Sequence, residues 1–332
     1  MPGPGAKRPS EETLIARHFA PLATSPGAAA LQDDAALLVC PPGYSLVVTT
    51  DMLVEAVHFL PDDPPATIAR KALRVNLSDL AGKGADSVGF LLALALREAW
   101  REDWVEAFAA GLAEDIRDFA TPLLGGDTVA TSGPLTIAVT ALGLIPGTAV
   151  PRRTNAQAGQ GIYVSGTIGD SALGLLARRG EAVLSGLSGT AAAHLVGRYQ
   201  LPEPRLALAS AVRQHACAAM DVSDGLVGDL AKLCRASRVG AEVDVDAVPL
   251  SPAMREVLLL APALLETALT GGDDYEILCT VAAQQERHFE AAAAASGVAV
   301  TRIGVVTGEA GLAVFRRQGM ELRFAHSSYS HF

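Results

Sequence analysis

The chain has 332 residues, half of them hydrophobic, and a formal net charge of −10. The length predicts two domains, each large enough for its own core. The acidic balance argues against a nucleic-acid surface, and the longest apolar stretch, Val88 to Leu96, is far short of the roughly 20 residues of a membrane span.

The elements follow in chain order. Ser10–Phe19 reads as a short helix with Glu11 and Glu12 in its first turn, where the helix dipole favours them. Leu46–Val54 is a strand, and Ala66–Leu80 a helix with apolar residues at Ile68, Leu73, Leu77 and Leu80. Val88–Leu96 is continuously apolar and reads as a strand buried on both faces, Leu135–Leu144 reads as another buried strand, and the amphipathic helix Glu102–Phe119 lies between them. Pro146–Gly161 has turn chemistry without periodicity, so a boundary is expected there, with domains at 1–148 and 149–332. The second half gives strands at Gly161–Val164, Ala241–Val245 and Glu276–Val281. Its helices are Asp170–Arg179, Pro204–His215, Gly225–Ser237 and Ala282–Ala295, and two short strands lie near 299–306 and 311–316. Strands and helices mix without a strict βαβ rhythm, so the fold class is α+β. An N-terminus without an apolar signal segment, and four dispersed cysteines lacking a CxxC pair, predict a cytoplasmic protein with reduced thiols.

Five acidic stretches stand out: QDD at 32–34, TTDML at 49–53, NLSDL at 76–80, GGDT at 125–128 and MDVSDG at 220–225. Aspartates gathered at one site repel unless a cation joins them, which points to several divalent metals and a phosphate-rich ligand. GGDT reads either as a hairpin turn with a capping aspartate or as a place where backbone and the Asp127 carboxylate meet a ligand. In MDVSDG, helix capping accounts for one polar residue but not for Asp221, Ser223 and Asp224 together. GGDDYE at 271–276 repeats the device before a strand. VSGTIGDSAL at 164–173 is a structural turn or a cradle of N–H groups for phosphate. AGKGAD at 81–86 lacks the spacing of a phosphate-binding lysine loop, and no protein-kinase motif is present. His58 reads as a structural hydrogen-bonding residue or a ligand contact, and Arg152–Arg153 as a solvated pair or the cation that meets phosphate.

In order, QDDAAL, TTDMLVEAVHF, KALRVNLSDLAGKGAD, LLGGDT, IYVSGTIGDSALGL, MDVSDGLVGDL, GGDDYEI and SSYSHF resemble the thiamine-monophosphate kinase family of the aminoimidazole ribonucleotide synthetase-like superfamily, from Glu12 to Phe332. The resemblance implies a two-domain α+β chain, dimeric through its N-terminal domains, which also bind metal and ATP while the C-terminal domain completes the site. It places Asp34, Thr49, Thr50, Asp51, Asp79, Asp127, Asp221 and Asp224 on metal-binding positions for several Mg²⁺. Gly126, Asp127, Arg153 and Ser223 fall on ATP positions, and His58, Asp273 and Tyr329 on positions that meet thiamine monophosphate. Asp273 stands where the family often has Glu. Ala30–Leu31–Gln32 precede Asp33 where glycines are usual, Met52 and Ala56 stand where Thr and Gly are common, and the VATS that follows GGDT lacks an arginine often found there.

The implied reaction is in-line transfer of the ATP γ-phosphoryl group to the phosphate of thiamine monophosphate. The acceptor is already deprotonated, so no general base is expected. Another ATP-dependent enzyme of the superfamily, or a non-catalytic paralogue that binds nucleotide or thiamine phosphates, are the alternatives.

Overall fold

The structure, a computed structural model, describes residues 9–326 and residue 328. Its contacts divide the chain into two compact units. One takes in the chain up to Asn76 and Ser87–Gly147; the other takes in Leu77–Asp86 and the chain from Thr148 onward.

The first unit opens with α1 (Glu11–Leu14), capped by the Ser10 hydroxyl, which accepts from Thr13 N. The expected longer helix widens into a π-helical turn over Ile15–Phe19. Then follow β1 (Tyr44–Val54), α2 (Pro65–Gly82), β2 (Asp86–Arg97), α3 (Glu102–Phe119), β3 (Leu123–Thr131) and β4 (Thr136–Pro146). The sheet order is β1-β4-β2-β3, with β1 antiparallel to β4 and β2 parallel to β3. Asp115 on α3, fully buried, accepts from Arg70 Nε at 2.8 Å and Arg74 Nε at 2.7 Å, which pins α2 to α3 with matched charge.

Two expectations change here. GGDT is no hairpin turn: it lies inside β3, and Gly126 pairs with Leu92 of β2. A Cβ on Gly126 would overlap the Leu92 carbonyl oxygen, so the approach of two strands requires that glycine. The strands at 88–96 and 135–144 are not buried on both faces. They alternate: Leu92, Leu94, Ile137 and Val139 are buried, while Leu91 is exposed. With Tyr44, Leu46, Val48, Met52 and Val129, Leu91 leaves one sheet face apolar and open among the described residues.

The second unit contains β5 (Gly161–Ser165), α4 (Asp170–Arg178), α5 (Gly189–Gln200), α6 (Ala209–His215), β6 (Ala216–Val222), α7 (Leu226–Ser237), β7 (Gly240–Asp244), α8 (Pro252–Leu260) and α9 (Leu264–Thr270). Then come β8 (Glu276–Val281), α10 (Glu286–Ala295), β9 (Val300–Thr307), β10 (Ala313–Arg317) and β11 (Met320–Leu322). The sheet runs β11-β10-β7-β9-β5-β8-β6; of its recorded pairings only β7 with β10 is parallel. Here the central strands are buried on both faces. Ile162, Val164 and Leu278 pack with Leu226, Leu230 and Leu269 on one side, and Tyr163, Ile277 and Cys279 with Val212 and Phe289 on the other. The whole is α+β, with two mixed sheets packed by helices. No described helix is long and apolar enough to cross a membrane.

The loop before the first acidic motif adopts an uncommon backbone. Ala29, Ala30 and Leu31 all lie in the left-handed region, at φ 47°, 52° and 58°. Leu37 N donates to Gly27 O at 2.8 Å and closes the loop. The backbone that glycine would favour is thus held without glycine, at a cost of about 1–2 kcal/mol per residue. Exposed Ala30 tests this: Ala30→Gly removes that cost but loosens the unfolded chain by about 0.5–1 kcal/mol, so a net gain of about 0–1.5 kcal/mol is expected. Thermal unfolding should rise by about 2–4 °C per kcal/mol gained, and a lower midpoint would show that the loop is not strained.

Candidate functional site

Within the first unit, the QDD loop and the GGDT strand come together. Asp33, Asp34 and the Gly125–Thr128 backbone line one cavity of about 650 Å³, whose other walls include Leu31, Leu38, Leu91 and Leu124. Both Asp34 and Asp127 are exposed to it. A polar end set against apolar walls suits a ligand with a charged group and a flat apolar part.

On β1 the two-residue period separates the three adjacent candidates. Thr49 and Asp51 point to the half-buried face, whereas Thr50 points to the exposed face. There the Thr50 hydroxyl donates to Val139 O at 3.0 Å and lies 3.0 Å from Thr140 Oγ1. Asp51 N donates to Asn76 Oδ1 at 3.0 Å, so the buried asparagine of NLSDL fixes Asp51 in place. His58 Nδ1 accepts from Val54 N at 2.9 Å, which sets the ring proton on Nε2.

In the second unit MDVSDG and GGDDYE, about 50 residues apart in sequence, interlock through backbone. Asp273 N donates to Ser223 O and Tyr275 N to Val222 O, each at 2.8 Å. A Cβ on Gly272 would overlap Ser223 O, and one on Gly225 would crowd Thr270, so both glycines are needed for the close approach. None of Asp221, Ser223 and Asp224 caps α7 through its side chain; the N-cap is Gly225. Instead Asp229, on the first turn of α7, accepts from Ser223 N at 3.0 Å and Asp224 N at 2.9 Å. Lys232 bridges Asp229, at 2.8 Å, and Asp224. Burial pushes the Asp229 carboxyl up, and Lys232 opposes that shift.

The Gly-rich turn at 164–173 does present N–H groups, but they serve the protein's own carboxylate: Asp274 accepts from Gly169 N at 2.8 Å and Ser171 N at 3.4 Å. Those amides are therefore already taken by a side chain, not left open for a phosphate. Arg153 is exposed, and its carbonyl is held by the Ser237 hydroxyl at 2.6 Å. Tyr329 lies outside the described residues. Among the described residues, no three His, Cys, Asp or Glu side chains form a metal cage.

Lys83, which the AGKGAD spacing gave no reason to select, emerges as part of this ground. It donates to Ala219 O at 2.5 Å and Pro151 O at 3.5 Å, tying the residues after Asp79 to the strand that carries Asp221. Burial, then the charge of Arg153, lowers its pKa to about 8, while Asp221 and Asp79 pull it back up and Arg152 pushes it down. Three cations and two candidate ligands thus share one electrostatic neighbourhood. The only prior signal was rarity, since the chain has four lysines against 22 arginines.

Comparison with known proteins follows the same lines. Residues 32–145 match the N-terminal domain of AIR synthase related proteins, and residues 157–317 match their C-terminal domain. Two such domains in this order define the chain as an AIR synthase related protein. Thiamine-monophosphate kinase of Caulobacter vibrioides is 45% identical over 305 residues, covering 91% of this chain and 85% of that protein. The crystal structure of thiamine-monophosphate kinase from Stenotrophomonas maltophilia K279a aligns with a TM-score of 0.78 at 40% identity, over 88% of this chain and 91% of that one. AaThiL, solved in complex with AMPPCP and TMP, aligns with a TM-score of 0.77 at 28% identity, over 97% and 94%. The chain belongs to the thiamine-monophosphate kinase family, and is a kinase.

Lys83 yields a pH test. An unfolded lysine keeps its proton up to about pH 10.5, while folded Lys83 releases it near 8. Between those values the unfolded chain binds more protons, so this group's contribution to stability rises with pH across that window; below it, the buried charge is a constant penalty. Urea midpoints at about pH 7.5 and about pH 9.5 should show wild type gaining on Lys83→Met, whereas parallel midpoints would mean that Lys83 titrates like a surface lysine.

Proposed function

We propose that the protein transfers the γ-phosphoryl group of ATP in line to the phosphate of thiamine monophosphate, giving thiamine diphosphate and ADP. The observation that carries this is the alignment, over nearly the whole chain, with AaThiL bound to AMPPCP and TMP. The geometry adds support. Asp34 and Asp127 share a cavity of nucleotide scale, and the loop that leads to Asp34 takes left-handed backbone at Ala29–Leu31 without glycine.

ATP is the co-substrate, met by Gly126, Asp127, Arg153 and Ser223. Thiamine monophosphate is met by His58, Asp273 and Tyr329. The donor set fits magnesium: Asp34, Thr49, Thr50, Asp51, Asp79, Asp127, Asp221 and Asp224 offer only hard oxygens. Mg²⁺ binds through one or two carboxylates plus water and phosphate oxygens, so a closed protein cage is not required. Bound there, several Mg²⁺ would offset the negative charge of the phosphate oxygens. Arg153 supplies a fixed cation for a phosphate that the carboxylates themselves repel. No side chain has to remove a proton, because the acceptor is an anionic phosphate oxygen.

Residues 1–148 would carry metal, ATP and the dimer contact, and residues 149–332 would complete the site. The open apolar face bearing Leu46, Val48, Met52 and Val129 supports a homodimer, since a monomer gains nothing by exposing it. Dependence on ATP favours a cytoplasmic location.

Purified protein with ATP and Mg²⁺ should convert thiamine monophosphate to thiamine diphosphate by chromatography, and leave thiamine unchanged. Asp127→Asn should lower turnover by at least about 100-fold, beyond the usual loss on perturbing a ligand's supporting contacts. It should melt like wild type, because Asp127 is exposed. Phosphorylation of thiamine in preference to its monophosphate, or near-normal turnover of Asp127→Asn, would refute the assignment.

A further inference from the structure

GGDDYE holds two adjacent aspartates with opposite surroundings. Asp273 is half-buried; Asp274 is 1% exposed. The backbone explains how neighbours diverge so sharply. Asp273 and Tyr275 lie in the left-handed region at φ 72° and 52°, a conformation that residues with a Cβ rarely adopt. Two such residues on either side of Asp274 turn its side chain inward.

The inward carboxylate is fully engaged. Oδ2 accepts from Gly169 N at 2.8 Å and Oδ1 from Ser171 N at 3.4 Å, at the start of the nine-residue α4. The Asp274 carbonyl accepts from Arg198 Nη2 at 3.4 Å, and the next carbonyl, on Tyr275, accepts from Ser78 Oγ at 3.3 Å. The outward residue is aimed in turn: the Tyr275 hydroxyl donates to Asp273 Oδ1 at 3.2 Å. A buried carboxyl group, its pKa pushed well up by that burial, is thus tied by the amides at the start of α4, and this tie fixes an uncommon backbone that presents the Asp273 carboxylate.

We propose that Asp274 is a positioning residue for substrate recognition: locked on the N-terminus of α4, it holds Asp273 and Tyr275 left-handed and so aims Asp273 at the cationic ring of thiamine monophosphate. This rests on the assignment of Asp273 to the substrate, and extends it to a residue that never touches the ligand.

The test measures KM for thiamine monophosphate and for ATP in wild type, Asp273→Asn, Asp274→Asn, Tyr275→Gly and the Asp274→Asn/Tyr275→Gly double variant. Asp274→Asn keeps the shape of the side chain but turns one acceptor into a donor facing another donor. Its KM for thiamine monophosphate should rise about tenfold, the order of one charged hydrogen bond, while KM for ATP stays within about twofold. Glycine adopts left-handed backbone unaided, so in the Tyr275→Gly background the same substitution should cost less than about threefold. Equal cost in both backgrounds, or a lowered melting temperature with both KM values unchanged or raised together, overturns the proposal. If Asp274→Asn alone does not fold, the double variant decides: a KM near that of Tyr275→Gly supports the role, and a much higher one refutes it. An unchanged KM in Asp273→Asn would instead remove the substrate assignment, and this proposal with it. A raised KM in Asp273→Asn with none in Asp274→Asn refutes the positioning role alone.

Discussion

Repulsion between like charges governs this molecule. A chain with net charge −10 must keep its many carboxylates from destabilising one another. It does so by giving its structural carboxylates private partners. Asp115 has Arg70 and Arg74, and Glu276 has Arg198 and Arg205. Asp229 has Lys232 and two turn amides, and Asp274 has the amides that open α4. Asp33, Asp34 and Asp127 are instead exposed to a cavity. Carboxyl groups with private partners hold the fold together, and the cavity-facing ones stand exposed.

This division explains what the sequence could and could not tell. The acidic motifs, their order and the helices of strong period were legible, because amphipathic spacing and acid–glycine turns are local signals. Which aspartate in a pair faces inward is not local. Asp273 and Asp274 are chemically identical neighbours, separated only by two left-handed residues and a helix start about 100 positions earlier. Lys83 was likewise invisible, since its importance comes from the carbonyls of Ala219 and Pro151. β6 was missed because Ala216–Val222 is mostly small residues, whose strand identity comes from pairing with β8.

Continuously apolar strands misled in an instructive way. In the second unit β5 and β8 are covered on both faces by helices, as such runs imply. In the first unit β2 carries the same kind of sequence, yet one face remains open among the described residues. Apolar residues on an open sheet face and in a covered core look the same one strand at a time.

The chemistry proposed is direct. Two anions are brought into line, charge is offset by metal and Arg153, and no side chain forms a bond to phosphorus. That claim is open to a stereochemical measurement. With ATP made chiral at the γ-phosphorus by oxygen isotopes, a single in-line transfer inverts configuration in the thiamine diphosphate formed. Inversion is the expected result. Retention would mean two successive displacements through a phosphorylated residue, and would contradict the account of this site.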